Sequence, residues 1–333
     1  MTLTHRIYSD LQDAVKNTDK EMISKHYMNI KNIALIYAVS KVDTKEKLYF
    51  SIGQDNIDSI PQLNGLDIKR VHLYEYSKVD YFCELSPKNL ADGEMFEVVI
   101  EDIRKSINEV SSSIQLVNRI TNVLLKWRNF FAKEKSLLLS PERQQGLYGE
   151  LLLLRSLIQW KGISSINYWA GADDETHDYY INNNAIEVKT TSTKSPYKIH
   201  INSEYQLDFE EVSGNLYIAF YALRKSGVEG EKLPEIIQSI REHLKEKRLL
   251  LNKFNTNLQK YGYFDGLEEK YFTGYHLREM NFYHVRDNFP RIIKAQLAFG
   301  ISECQYNVLI DSCRNYIVEI DTIKAMIKGG CDV

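Results

Sequence analysis

The chain has 333 residues, 44% of them hydrophobic and 26% charged, so it can bury one large core or two modest ones and lacks the composition of a disordered chain. Its 42 basic and 45 acidic side chains give a formal net charge of -3, so any surface that binds nucleic acid must be local. The four cysteines are widely spaced and form no CxxC pair, which argues against a disulfide framework and against a zinc site.

The first part of the chain is predicted to be a sheet-rich α+β region. Residues 11–28 carry apolar side chains at loose helical spacing and predict a helix. Four short extended runs, punctuated by glycine and proline, follow between residues 33 and 85, and residues 96–133 return to helical spacing. We expect an N-terminal region over residues 1–135, with target or partner recognition as its candidate role, and a second domain with a C-terminal extension over residues 136–333.

The sequence shows neither a targeting signal at its first residues nor a membrane-spanning segment. The first ten residues lack a basic segment followed by an apolar core, and no apolar run approaches the roughly 20 residues needed to span a bilayer. The simplest expectation is a cytoplasmic protein with no membrane partner.

A helix predicted to start at residue 141 carries the first acid of interest. Ser140 can cap the free amides, Pro141 suits the first turn, and Glu142 faces the positive end of the helix dipole. On a helical projection Glu150 shares a stripe with Gly146, Leu154 and Leu157. This stripe is expected to face the protein interior, where a carboxylate needs a partner. Two interpretations stay open for Glu150: a role in a metal site, or an ion pair with Arg143.

Residues 177–191 predict a β-hairpin that gathers charged side chains. Residues 179–181 and 185–191 have strand character, and the asparagines between them tolerate the positive φ values of a tight turn. Such a hairpin brings Asp178 back towards Glu187. In the second strand, Glu187 and Lys189 alternate with apolar residues and therefore share one face.

Two acids and one lysine gathered in this way suit magnesium chemistry at a phosphate. Mg²⁺ takes oxygen ligands, usually one or two carboxylates completed by water and substrate phosphate, which Asp178 and Glu187 could supply. Lys189 would lie beside the attacking water and offset charge that develops on the phosphate. The other interpretation is that Glu187 and Lys189 form a charged pair on a solvated sheet face.

These residues together resemble the PD-(D/E)xK nuclease superfamily, which includes many restriction endonucleases. The resemblance rests on Asp178, on Glu187 and Lys189 two positions apart, and on Glu150 in a preceding helix, while His177 stands where the motif name has proline. Four ordered blocks, at residues 146–151, 177–178, 186–191 and 201–207, look like a bacterial branch of PD-(D/E)xK motif proteins often found beside restriction and phage-defence genes. The resemblance implies an α/β (α+β) fold of restriction-endonuclease-like type, with a mixed central sheet flanked by helices.

The later elements fit that fold. Strands are predicted at residues 197–201, 215–223 and 275–285, with a helix at 234–259 and a last strand and helix within 317–327.

Several polar residues near the hairpin are further candidates. Lys194 and Lys198 could contact DNA phosphates, with a solvated charged surface as the alternative. Gln206, a third candidate DNA contact, resembles a polar position that some relatives place near the site, and an ordinary surface glutamine explains it about as well. His177 and His200 titrate in the range of a general base, but each is more often a structural histidine.

The resemblance implies a metal-dependent DNA endonuclease that hydrolyses phosphodiester bonds in restriction or phage defence. Asp178, Glu187 and Glu150 would hold Mg²⁺, or Mn²⁺ in its place, and Lys189 would assist catalysis. The expected partner is double-stranded DNA, and cutting both strands suggests a homodimer. The alternative is a protein of the same fold that binds DNA or a defence partner without cleavage, against which the intact set of acids and lysine argues.

Overall fold

A computed structural model describes residues 2–30, 33–53, 60–107, 110–133, 137–173, 175–209 and 212–329. The chain divides into two compact units, the first formed by Met1–Leu137 with Phe264–Gly266 and the second by Leu138–Tyr263 with Leu267–Val333. None of the helices in the described residues is long and apolar enough to cross a membrane. The recognition role expected for the N-terminal region stays a prediction.

The first unit combines an antiparallel sheet with helices. Its elements are α1 (Leu3–Lys16), β1 (Met22–Ile30), β2 (Ile33–Ser40), β3 (Glu46–Gly53), β4 (Leu66–Val71), β5 (Tyr81–Pro87), α2 (Gly93–Ser106) and α3 (Ser113–Lys133). The strands lie in the order β1-β2-β3-β5-β4, and every neighbouring pair is antiparallel. The predicted helix over residues 11–28 is wrong in its second half, because Met22–Ile30 pairs with β2 as a strand. Pairing with a neighbouring strand outweighed the loose helical spacing.

The second unit is built on a mixed sheet. Its elements are α4 (Pro141–Lys161), β6 (Tyr179–Ile181), β7 (Asn184–Thr191), β8 (Lys198–Ile201), β9 (Leu216–Ser226), β10 (Glu231–Lys232), α5 (Leu233–Leu244), α6 (Arg248–Tyr261), β11 (Gly274–Val285), β12 (Tyr306–Leu309), β13 (Ile317–Val318) and α7 (Ile320–Lys328). The sheet order is β10-β11-β9-β7-β6, with β13 paired to β11. Strands β7 and β9 are parallel, the other pairs are antiparallel, and β8 and β12 form a separate two-stranded sheet.

The two faces of β7 meet different neighbours. On one face α4 lies so close that a Cβ on Gly149 would stand 2.2 Å from Thr190 Cγ2. On the other face, Ala185 belongs to an apolar cluster with residues of β8, β9 and β12. Since side chains alternate along a strand, Glu187 and Lys189 lie on the same face as Ala185. The central strand that carries the motif is therefore covered on both sides.

The expected fold class is confirmed: the chain is a mixed α+β protein with a mixed central sheet, flanking helices and a sheet-rich N-terminal region. The helix predicted at 234–259 is instead two helices, α5 and α6. The chain turns between them, where the Lys247 N–H donates to the Leu244 carbonyl at 2.8 Å. Neither proline nor glycine marks this break in the sequence.

The cysteines are free thiols wherever they are described. Cys83 and Cys313 are buried and Cys304 is partly exposed. Cys331 lies outside the described residues.

Candidate active site

A tight hairpin turn brings Asp178 beside the motif strand. Asn182 and Asn183 adopt φ values of 49° and 65°, as a two-residue hairpin turn requires. Strands β6 and β7 then pair in a register that places Asp178, just before β6, next to Glu187. Asp178 Oδ2 accepts a hydrogen bond from the Val188 N–H at 2.7 Å. The turn and this bond together fix the first acid of the motif.

Glu187 and Lys189 form a buried ion pair on one face of β7. Lys189 Nζ lies 2.8 Å from Glu187 Oε1. Glu187 is 3% exposed and Lys189 is 7% exposed, which does not fit a pair on a solvated sheet face. Glu187 Oε2 is also buried and has no hydrogen-bond partner in the described part of the chain. One oxygen of this carboxylate is therefore bonded and the other is open to a further partner.

Glu150 reaches the same region from α4. It is 5% exposed, its Oε2 accepts a hydrogen bond from Trp169 Nε1 at 2.7 Å, and the Tyr261 hydroxyl donates to the same carboxylate. Arg143, the alternative partner considered from the sequence, donates to the backbone carbonyl of Tyr261. Two neutral donors therefore hold Glu150 in place.

Gly171 shows how closely two of these carboxylates approach each other. A Cβ placed on Gly171 would lie 2.6 Å from Glu150 Oε2 and 2.9 Å from Asp178 Oδ1, so both oxygens border one small space. The backbone N–H groups of Ala170 and Gly171 donate to the Asp178 carbonyl at 2.8 and 3.2 Å. Glycine is needed here because a larger side chain would fill the space between the two acids.

Burial, with neighbouring charges, raises the pKa values of Glu150 and Asp178. Burial raises the pKa of Glu150 to about 7; the charge of Glu187 adds to the rise, while Trp169, Tyr261 and Lys189 lower it. Burial also raises the pKa of Asp178 well above its ordinary value, and the charges of Glu187 and Glu150 add to that rise. Three carboxylates thus interact through their charges with one another and with a single ammonium group, that of Lys189, so the site lacks positive charge.

The donor set fits a divalent cation that keeps part of its water shell. No three Asp, Glu, His or Cys side chains form a ready-made metal cage in the residues that the structure describes. Mg²⁺ does not need one, because it is commonly bound by one or two carboxylates and several waters. A cation would give the open Glu187 Oε2 a partner and would offset the excess of buried carboxylates.

Of the polar candidates beyond the hairpin, Gln206 contacts the site, whereas Lys194 and Lys198 do not in the described part of the chain. Gln206 joins the cluster: its Oε1 accepts hydrogen bonds from Lys189 Nζ and from the Asn202 N–H, both at 2.9 Å. Lys194, in the loop after β7, and Lys198, at the start of β8, are exposed. Across the described ranges, no hydrogen bond or ion pair links either lysine to the three acids.

Of the two candidate histidines, His177 is buried and His200 is exposed. His177 is 2% exposed and lies with Nδ1 at 3.3 Å from the Tyr180 hydroxyl. His200 is exposed on β8, with Nδ1 at 3.2 Å from Asn307 Oδ1.

Three residues that shape the site were missed in the sequence: Trp169, Gly171 and Tyr261. Tyr261 lies at the end of α6, and no periodicity connects it to Glu150. Trp169 and Gly171 stand shortly before the hairpin. An indole donor and a glycine so close to a motif acid are a signal that could have been used.

Comparison with known proteins extends the resemblance beyond the motif. The family model described as "Putative PD-(D/E)XK family member, (DUF4420)" matches residues 5–311, which include Glu150, Asp178, Glu187 and Lys189. No curated protein and no solved structure gave a match. The match spans nearly the whole chain and agrees with the nuclease-like fold. The chain therefore belongs to the DUF4420 family of PD-(D/E)XK type.

Proposed function

We propose that this protein is a divalent-metal-dependent endonuclease that hydrolyses phosphodiester bonds of double-stranded DNA. The observation that carries the proposal is the buried Glu187–Lys189 pair, beside which Asp178 is bonded to the Val188 N–H and shares a small space with Glu150. Asp178 and Glu187 would hold Mg²⁺, or Mn²⁺ in its place, and Glu150 would complete or support the site. When bound, the cation would offset charge on the phosphate and acidify the attacking water.

Lys189 is suited to orient water and to offset negative charge on the phosphate. An ammonium group has three N–H donors. Two of them reach Glu187 Oε1 and Gln206 Oε1, which leaves one donor for a water or phosphate oxygen, as far as the described residues show. Because Lys189 is buried, solvent screens its charge only weakly. These features support a catalytic role for a lysine that two neighbours hold in position.

We extend the proposal to the setting in which the enzyme works. Family membership supports a nucleic-acid substrate. The sequence resemblance supports a role in restriction or phage defence, and cutting two strands would suit a homodimer. We also propose that the enzyme acts in the cytoplasm and that the first unit recognises a target or partner. Lys194 and Lys198, exposed in the unit that holds the site, are proposed contacts to phosphates.

Plasmid cleavage tests this proposal. Wild-type protein with Mg²⁺ should cut plasmid DNA, and a chelator should stop the reaction. Asp178→Ala and Lys189→Ala should each slow cleavage by at least about a hundredfold, because each removes a group that acts on charge at the reacting phosphate. Circular dichroism should confirm that both variants fold.

A matched control is Lys245→Ala, which removes an exposed lysine after α5 and should cut like wild type. Equal rates for wild type and Lys189→Ala would contradict the assigned chemistry.

A further inference from the structure

A polar pocket adjoins the candidate active site. Its volume is about 500 Å³, within the size range of small-molecule sites. It shares residues with the site: Trp169, which donates to Glu150, lines it, as does Ala170, whose N–H bonds the Asp178 carbonyl. His177, which immediately precedes Asp178, also lines it. A group bound in the pocket would therefore lie next to the proposed cleavage centre.

Three aromatic rings line this pocket: those of Trp169, His177 and Tyr180. Trp169 and His177 are buried, at 1% and 2% exposure, whereas Tyr180 is 38% exposed. The rings of His177 and Tyr180 are nearly perpendicular, with centroids 5.8 Å apart. Exposed aromatic side chains next to a nucleic-acid backbone are the groups on which unpaired bases stack.

The polar lining suits a neutral ligand group better than a phosphate. Glu175 and Lys253 contribute one negative and one positive charge, which cancel among the described lining residues. Lys253 Nζ donates to Asn167 Oδ1 at 3.0 Å, which orients the amide so that its NH₂ group remains a donor. Hydrogen-bonding groups and aromatic rings without net charge match the edge and face of a nucleobase.

We infer that this pocket receives one unpaired nucleobase of the DNA substrate, next to the phosphate that is cut. The inference rests on the proposed function, since that function places the DNA backbone at the carboxylates. It narrows the substrate to DNA in which a base is single-stranded, mismatched or extruded from the helix. Extrusion costs least where the base is already unpaired, so the pocket would favour such sites.

The test measures DNA binding in a chelator, so that no cleavage takes place. Fluorescence anisotropy would compare labelled single-stranded DNA on wild type, Tyr180→Ala and Tyr180→Phe. Tyr180→Ala should weaken binding about tenfold, the scale of one base–aromatic stack, whereas Tyr180→Phe keeps the ring and should bind like wild type. Phe272→Ala removes an aromatic ring, 68% exposed, from outside the pocket and should change nothing.

Two further measurements complete the test. Asn167→Ala should also weaken binding, and a duplex with one mismatched pair should bind more tightly than a fully paired duplex. Equal affinity of wild type and Tyr180→Ala for single-stranded DNA, or equal affinity for the two duplexes, would overturn the inference.

The outcomes also separate the two proposals. Loss of binding in Tyr180→Ala, with no cleavage by wild type of either plasmid or mismatched duplex in Mg²⁺, would leave the base pocket standing and remove the nuclease. Unchanged binding by Tyr180→Ala, with normal metal-dependent cleavage by wild type, would leave the nuclease standing and remove the base pocket.

Discussion

Single buried acids determine how this protein should respond to cations and to pH. In the candidate active site, Glu150 and Asp178 have raised pKa values because burial and neighbouring carboxylates disfavour their charged forms. Trp169 and Tyr261 offset part of that cost by donating hydrogen bonds to Glu150. A bound cation would offset more of it. At the residue scale, then, the electrostatics of the site agree with the chemistry proposed for it.

Another buried acid lies in the first unit, outside any proposed chemistry. Glu46, at the start of β3, is 7% exposed and accepts a hydrogen bond from Gln12 Nε2 at 2.7 Å. Burial raises its pKa from 4.5 to about 8, and the charge of Glu97 adds to the rise. Between these two pKa values the folded chain keeps a proton that the unfolded chain has released. Stability therefore falls as the pH rises through this window.

We expect Glu46→Gln to remove this part of the pH dependence. Across the window, the free energy of unfolding of wild type should fall more steeply than that of the variant, by up to about 1.4 kcal/mol per pH unit. Denaturant titrations of both proteins at about pH 5 and about pH 8 would measure the difference. Parallel pH profiles for the two proteins would show that Glu46 titrates normally.

At the scale of elements, the site depends on how closely α4 lies against β7. Gly149→Ala would place a Cβ 2.2 Å from Thr190 Cγ2, on a β-branched side chain that cannot easily turn away. We expect a loss of about 1–3 kcal/mol in unfolding free energy, although alanine is otherwise the better helix former. Cleavage should also slow, because Glu150 would move with the helix.

Chemical denaturation with Gly93→Ala as the control would check this. Gly93 begins α2, and nothing lies within 4 Å of its added Cβ, so that variant should be at least as stable as wild type. A Gly149→Ala protein as stable as wild type would show that α4 can move away from the sheet at no cost.

The same elements show what a sequence can predict. The hairpin and the start of α4 followed from local chemistry, since asparagines set the turn and Ser140 caps the helix. Strand β1 did not follow from local chemistry, because it forms by pairing with β2. The break between α5 and α6 did not either, because no proline or glycine marks it in the sequence. The sequence likewise indicated Asp178, Glu187 and Lys189 as motif residues, whereas it did not indicate Tyr261, a donor to Glu150 that lies far along the chain. Only the folded chain brings Tyr261 to that carboxylate.

For the molecule as a whole, a net charge of -3 means that the proposed affinity for DNA would have to come from a few local cations. Lys194 and Lys198 are the proposed phosphate contacts. Removing one such lysine should reduce the steepness of log K against log salt by about 0.9, so the double variant Lys194→Ala/Lys198→Ala should reduce it by about 2. Anisotropy titrations at several salt concentrations, with Lys245→Ala as the control, would measure the slopes. An unchanged slope in the double variant would remove these lysines from the DNA surface.

The central claim is that Asp178 and Glu187 hold one divalent cation beside Lys189. Calorimetric titration of Mg²⁺, and of Mn²⁺, into the metal-free protein tests it most directly. We predict one site per chain in wild type and in Glu242→Gln, whose carboxylate is exposed on α5, and loss of that site in Asp178→Asn and Glu187→Gln. Unchanged binding in the two site variants, or no binding by wild type, would contradict the claim.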